Sequence, residues 1–311
     1  MSILEEQEEE RFSKSNYSQH LDRLKEAYSW LGISRGRPVE YLKLIREFFE
    51  EHVRSRQHIL AYNESCEIVE LYTFWESRLQ DFRQLKPKLV ECLKKGPLLR
   101  EDENSVTSTN KYRNESFVYL LAGELLDAAI NVIAIDGIVK EGEICHLDGD
   151  ISFKWKGTIY DIQCKRIQTK ARLKERVKEA RDQITRSGRE EQCGLIAIDL
   201  SALMPRDKVV ESNSAETSGR RLSRLLETEF KGTVEKYLDS SILGFLLTAR
   251  IAGMTRVNSS PILSSAGEYY AYMRPETIKP WLMVSEPARS NDNICRFLYE
   301  RLAERLRSFK G

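Results

Sequence analysis

The stretch that most constrains how this 311-residue chain folds is DISFKWKGTIYDIQCKR, residues 150 to 166. Ile151, Phe153 and Trp155 alternate with polar neighbours as a half-buried strand does. Thr158, Ile159, Tyr160, Ile162 and Cys164 read as a second strand, with Lys156–Gly157 as a two-residue turn between them. Such a turn sets the register. Trp155 then faces Thr158, Phe153 faces Tyr160, Ile151 faces Ile162, and Asp150 lies opposite Gln163, about 4.5–5.5 Å away between Cβ atoms. Successive side chains alternate faces, so the aromatic and isoleucine pairs take one side while Asp150, Gln163 and Lys165 share the other.

A polar face on an antiparallel hairpin is most often the wet side of a sheet. Here the residue types also suit a chemistry. A divalent cation such as Mg²⁺ takes hard oxygen ligands, one or two carboxylates with water and phosphate oxygens filling an octahedron. Asp150 offers the charged oxygen and Gln163 a neutral amide oxygen. Lys165 can orient or help deprotonate an attacking water, or neutralise charge as a phosphate expands to five-coordinate. A glutamine holds metal more weakly than a glutamate, and the helix just upstream offers Glu115 and Glu124 as a further acid. These two stand two and a half turns apart on opposite sides of that helix, so only one can face the hairpin.

The order helical Glu, then Asp, then Gln-x-Lys resembles the PD-(D/E)xK nuclease superfamily, and QCKR at 163–166 is most similar to its Mrr-like branch of type IV restriction endonucleases. In that branch a glutamine replaces the second acid, and a helix with a phrase like NESFVYLL, residues 114 to 121, precedes the core. The resemblance covers roughly residues 110 to 200. It maps the family glutamate onto Glu115, the metal aspartate onto Asp150 and the final pair onto Gln163 and Lys165. This chain departs from the pattern in carrying Gly149 where many members have proline, and in a long stretch, 131–147, before the aspartate. The resemblance implies a restriction-endonuclease-like α/β fold, a mixed sheet flanked by helices. It also implies a Mg²⁺- or Mn²⁺-dependent endodeoxyribonuclease acting in restriction of foreign DNA such as phage. The expected catalytic set is Glu115, Asp150, Gln163 and Lys165, with Asp150 and Gln163 on the metal. Cutting both strands calls for two copies, hence a homodimer, and control of a toxic nuclease leaves room for an activating partner protein. The alternative is a degenerate member that keeps the fold, loses the metal, and binds nucleic acid or assembles with a partner. DNA and RNA are not told apart by these residues, since that choice depends on contacts to the 2′-hydroxyl.

Net charge is only +1, so any nucleic-acid surface must be local. One candidate follows the hairpin directly. Lys170, Lys174, Lys178 and Arg181 fall at helical i+4 and i+3 steps and form one basic stripe, while Leu173, Val177, Ala180 and Ile184 mark the core-facing side. Charge runs of this kind are often just a solvated helix face. With 41% hydrophobic and 31% charged residues the chain has the composition of a globular protein rather than a disordered one. Six cysteines, at 66, 92, 145, 164, 193 and 295, lack CxxC spacing, and the expectation is reduced thiols in a cytoplasmic protein without signal peptide or membrane span. Cys145, His146 and Asp148 form a weak transition-metal candidate. Neither a Gly-rich nucleotide loop nor a GxSxG elbow is present, which argues against an ATPase or a serine hydrolase.

Residues 1–100 read as an α-helical N-terminal domain, with apolar helical spacing over 17–32, 38–55 and 66–95, for sensing, dimerisation or packing. Phe74 and Trp75 are expected in its core. The acidic EEQEEE start is an expected frayed tip, and a polar linker over 101–113 leads to the nuclease domain, 114–311. That domain is expected to run helix 114–130, hairpin, basic helix 170–187, strand 193–201, a flexible loop 205–219, helix 220–238, strands at 242–251 and 268–273, and a last helix 292–308.

Overall fold

The computed structural model describes residues 19–50, 55–96, 98, 111–144, 149–185, 194–204, 210–212, 215–239, 241–256, 262–263, 269–270, 273–278, 281–285 and 294–308. The EEQEEE start, most of the polar linker, the Cys145/His146/Asp148 group and Cys193 lie outside the described residues. Four helices come first: residues 19–31 (α1), Arg37–Glu50 (α2), Arg56–Trp75 (α3) and Leu85–Lys94 (α4). Leu21, Leu24, Tyr28 and Leu31 in α1 and Tyr41, Ile45 and Phe48 in α2 are all buried, as their helical spacing requires. The single helix expected over 66–95 is two: α3 ends at Trp75, and α4 begins with Pro87 in its first turn, where a missing N–H costs nothing and the ring has no helical carbonyl four residues back to meet.

Helix Lys111–Asp127 (α5) opens the sheet-forming part, so the last three residues assigned to a linker are helical and Arg113 is buried. Strands Asn131–Ile135 (β1), Ile138–Val139 (β2), Ile151–Trp155 (β3) and Thr158–Arg166 (β4) follow, then helix Lys170–Thr185 (α6) and strand Gly194–Asp199 (β5). The later part holds Val210–Ser212 (β6), helix Ala215–Leu226 (α7), a π-helical turn at Glu227–Lys231, the short helix Gly232–Val234 (α8) and Ile242–Thr248 (β7). Ile251–Arg256 (β8), Ile262–Leu263 (β9), Tyr269–Tyr270 (β10), Met273–Ile278 (β11), Trp281–Ser285 (β12) and helix Ile294–Ser308 (α9) complete it.

Seven strands form one mixed sheet in the order β12-β7-β5-β4-β3-β1-β2. The pairs β4/β5 and β5/β7 are parallel and the remainder antiparallel, with α6 as the crossover from β4 to β5. A second, three-stranded sheet runs β11-β8-β6. The hairpin has the register read from its turn: Trp155 opposite Thr158, Phe153 opposite Tyr160, Ile151 opposite Ile162. Positive φ angles of 49° at Lys156 and 85° at Gly157 are those of a type I′ turn. The long stretch before Asp150 contains another such hairpin, β1–β2, turning on Asp136 and Gly137 with φ of 48° and 77°.

Strand β5 is buried at all six positions because it is covered on both faces. Leu195 and Ala197 join Ile151, Phe153 and Ile162 against α3 and α5, in an apolar cluster that continues through Phe74, Trp75 and Leu89 to α1 and α2. Ile196 and Ile198 face the other way, onto Leu173, Val177, Ala180 and Ile184 of α6 and onto Leu222, Leu226 and Phe230. The N-terminal helices thus share their core with the sheet. Among the described residues no helix is long and apolar enough to cross a membrane.

Candidate functional site

Asp150 sits just before β3, at the end of the sheet where β4 finishes. Its Oδ2 accepts the Cys164 backbone N–H at 2.7 Å, which fixes the carboxylate against β4 between Gln163 and Lys165. Burial pushes the Asp150 carboxyl above its ordinary range; the Cys164 N–H and the Lys165 ammonium pull the other way, and the Asp136 carboxylate adds to the rise. Gln163 is buried, 3% exposed, and Lys165 is half-buried with Nζ donating to Oε1 of Gln183 on α6 at 2.7 Å. The thiol of Cys164 lies on the opposite face of β4, where burial drives its pKa far up, so it is a neutral packing group rather than a nucleophile.

Two further acids reach this end of the sheet. Asp136, in the β1–β2 turn, donates its backbone N–H to the Asp150 carbonyl at 2.7 Å. Its carboxylate accepts from Tyr119 of α5 at 2.8 Å and from Lys88 of α4 at 2.6 Å, and Lys88 also reaches the Asp136 carbonyl at 2.7 Å. Glu115, one turn before Tyr119, lies 3.6 Å from Lys111; burial raises its pKa, Lys111 opposes the rise and the Asp136 charge reinforces it. Glu124 points elsewhere, accepting the Trp281 indole N–H at 2.9 Å in a buried bond to β12. Of the two helical acids, then, Glu115 is the one that feels the Asp136 charge, from the face of the sheet opposite to that of Gln163 and Lys165.

Gly149 has a local reason to be glycine. A Cβ there would stand 2.8 Å from the Cβ of Asp161 and 3.0 Å from its Oδ1. Asp161 is buried on the same face of β4 as Gln163 and Lys165, and accepts from Ser152 across the hairpin at 2.5 Å. The departure from proline at this position is thereby accounted for, because β4 approaches too closely for any ring.

The basic stripe on α6 is real as a helix face but divided in its partners. Lys170 pairs with Glu229 at 2.6 Å and lies over the Phe230 ring, and Arg181 pairs with Asp239 at 3.0 Å. Lys174 and Lys178 are exposed between them. All four stand roughly half a turn around the helix from Gln183, the residue that meets Lys165.

A cation here would find hard oxygen donors in Asp150 and Gln163, which suits Mg²⁺ or Mn²⁺ better than a soft metal. Among the described residues no three His, Cys, Asp or Glu side chains group to hold a metal, so water and substrate phosphate would have to supply the remaining ligands. Asp136 and Asp161 were missed in reading the sequence, although each left a signal. Asp-Gly between NVIAI and IV is a hairpin turn, and Asp161 shares by simple alternation the face of Gln163 and Lys165. Lys88 and Tyr119 left none, since they arrive from distant segments. No protein-family model, curated protein or solved structure matches this chain.

Proposed function

We propose that the protein is a Mg²⁺- or Mn²⁺-dependent endonuclease that hydrolyses DNA phosphodiester bonds, working as a homodimer against foreign DNA. The observation that carries this reading is the Asp150 carboxylate fastened to the Cys164 amide, within the electrostatic field of Lys165 on the same strand. The mixed sheet around it, with α5 before the strands and α6 crossing from β4 to β5, supports the reading, since a mixed sheet flanked by helices is what the resemblance implies. Asp150 and Gln163 would hold the cation, which when bound neutralises phosphate charge and acidifies water. Lys165 presents an ammonium to the phosphate oxygen where negative charge develops, with Nζ oriented by Gln183 Oε1. Glu115, raised in proton affinity by burial and by the Asp136 charge, assists from α5 by taking or releasing a proton at its carboxylate. Exposed Lys174 and Lys178 are the members of the α6 stripe open to phosphate contacts.

Supercoiled plasmid incubated with purified protein and Mg²⁺, Mn²⁺ or EDTA tests this directly, beside Asp150→Ala and an RNA substrate. Metal-dependent nicking of DNA that the variant lacks is the expected result. One observation favours a second reading, a non-catalytic module that binds nucleic acid or assembles with a partner: one carboxylate and one amide make a weak metal site, and among the described residues no three His, Cys, Asp or Glu side chains group to strengthen it. Absence of Mg²⁺ or Mn²⁺ binding at millimolar concentration selects it.

A further inference from the structure

The segment running up to Asp150 is stitched to the N-terminal helices by contacts that packing alone does not require. Lys88 of α4 holds both the carbonyl and the carboxylate of Asp136. Just beyond, the Glu141 N–H donates to the Asp81 carbonyl at 2.9 Å, Lys140 lies 3.8 Å from the Asp81 carboxylate, and Arg83 pairs with Glu141 at 3.0 Å. Lys88 of α4 thus holds the β1–β2 turn itself, and the stretch between α3 and α4 holds the two residues that follow β2. That turn in turn holds Asp150, through the Asp136 N–H on the Asp150 carbonyl. Asp136 adopts a left-handed backbone conformation that a non-glycine residue reaches at some cost, so its side-chain anchors help to keep it there.

We propose that Lys88 and Asp136 are positioning residues through which the N-terminal helices hold Asp150 in its working place, so that the site is competent only while α4 stays docked on the β1–β2 turn. The catalytic consequence rests on the nuclease reading; the mechanical link does not. A partner or ligand that shifts α4 would act on Asp150 along this route, which gives the helical region a regulatory part in addition to its share of the core.

Hydrogen exchange of the Asp136 and Cys164 amides reports the link, because these two N–H groups bond the Asp150 carbonyl and carboxylate. It is measured on the full chain as wild type, Lys88→Met, Lys88→Arg, Asp136→Asn and the Lys88→Met/Asp136→Asn double variant, with Lys25→Met as a surface-charge control. Faster exchange at both amides by about two- to fivefold is expected in Lys88→Met and Asp136→Asn, the scale of a half-exposed ion pair. Lys88→Arg restores protection and the double variant adds little, since the two residues act as one unit. In the same proteins kcat for plasmid cleavage falls by a similar factor with KM for DNA unchanged. Exchange at these amides that equals wild type in Lys88→Met overturns the proposal, and so does a uniform rise across the chain, which marks general loosening. A wild-type protein that fails to cut DNA removes the nuclease reading and leaves the exchange result to decide the mechanical link.

Discussion

Burial and the neighbouring Asp136 charge both raise the Asp150 carboxyl, and only the Cys164 N–H and Lys165 oppose them. A carboxyl whose folded pKa lies above its unfolded value favours the folded state below the ordinary carboxylate range and loses that contribution as pH rises through the folded pKa. At neutral pH the ionised Asp150 is therefore a net cost to stability. Asp150→Asn keeps an oxygen for the Cys164 N–H and removes the charge. Its Tm should exceed wild type at pH 7–8 and the gap should close near pH 4, while cleavage is lost; a lower Tm at neutral pH contradicts this. The positions of Asp150, Gln163 and Lys165 were legible because a two-residue turn leaves no freedom of register. Their surroundings were not, because Asp136, Tyr119 and Lys88 come from three separate elements and only tertiary packing brings them together.

Among the elements, α6 shows how far periodicity reaches. Its spacing separates an apolar side from a basic one, and the burial of Leu173, Val177, Ala180 and Ile184 agrees. Spacing says nothing of what stands opposite, and Glu229 and Asp239 come from later parts of the chain. Lys174→Glu with Lys178→Glu should weaken DNA binding and lower the salt slope of log K by about 2, one phosphate contact each. Lys170→Glu with Arg181→Glu should change the slope by less, since those cations are already compensated. Equal slopes for the two double variants, from binding measured between 50 and 200 mM salt, would refute the division. The start of α4 and the β1–β2 hairpin were written in the sequence as Pro87 and Asp136–Gly137, local signals that a search for long apolar periods passes over.

At the scale of the molecule, the N-terminal helices and the sheet contribute to one apolar core. Helix α3 carries Glu64 and Glu67, both buried, against Arg113 of α5, with Glu67 also 3.8 Å from the buried Arg250 beyond β7. Removing one member leaves a buried charge uncompensated. Arg113→Met should cost about 3–5 kcal/mol in urea unfolding, a large part of a normal stability of about 5–15 kcal/mol. A loss under 1 kcal/mol would show that the network is solvated. Composition did not announce this arrangement, because shared burial depends on which helical faces meet the sheet, and the sequence pattern marks faces without their partners.

In the proposed nuclease Lys165, whose ammonium stands on the strand that fastens Asp150, meets the charge that develops on the phosphate. The most direct test is the single-turnover rate of plasmid cleavage by Lys165→Ala at saturating Mg²⁺, with DNA affinity and Tm measured on the same preparation. The expected rate is lower by about 10²–10³-fold, the scale for losing one group that meets developing charge, with affinity and Tm close to wild type. Cleavage at the wild-type rate would contradict it.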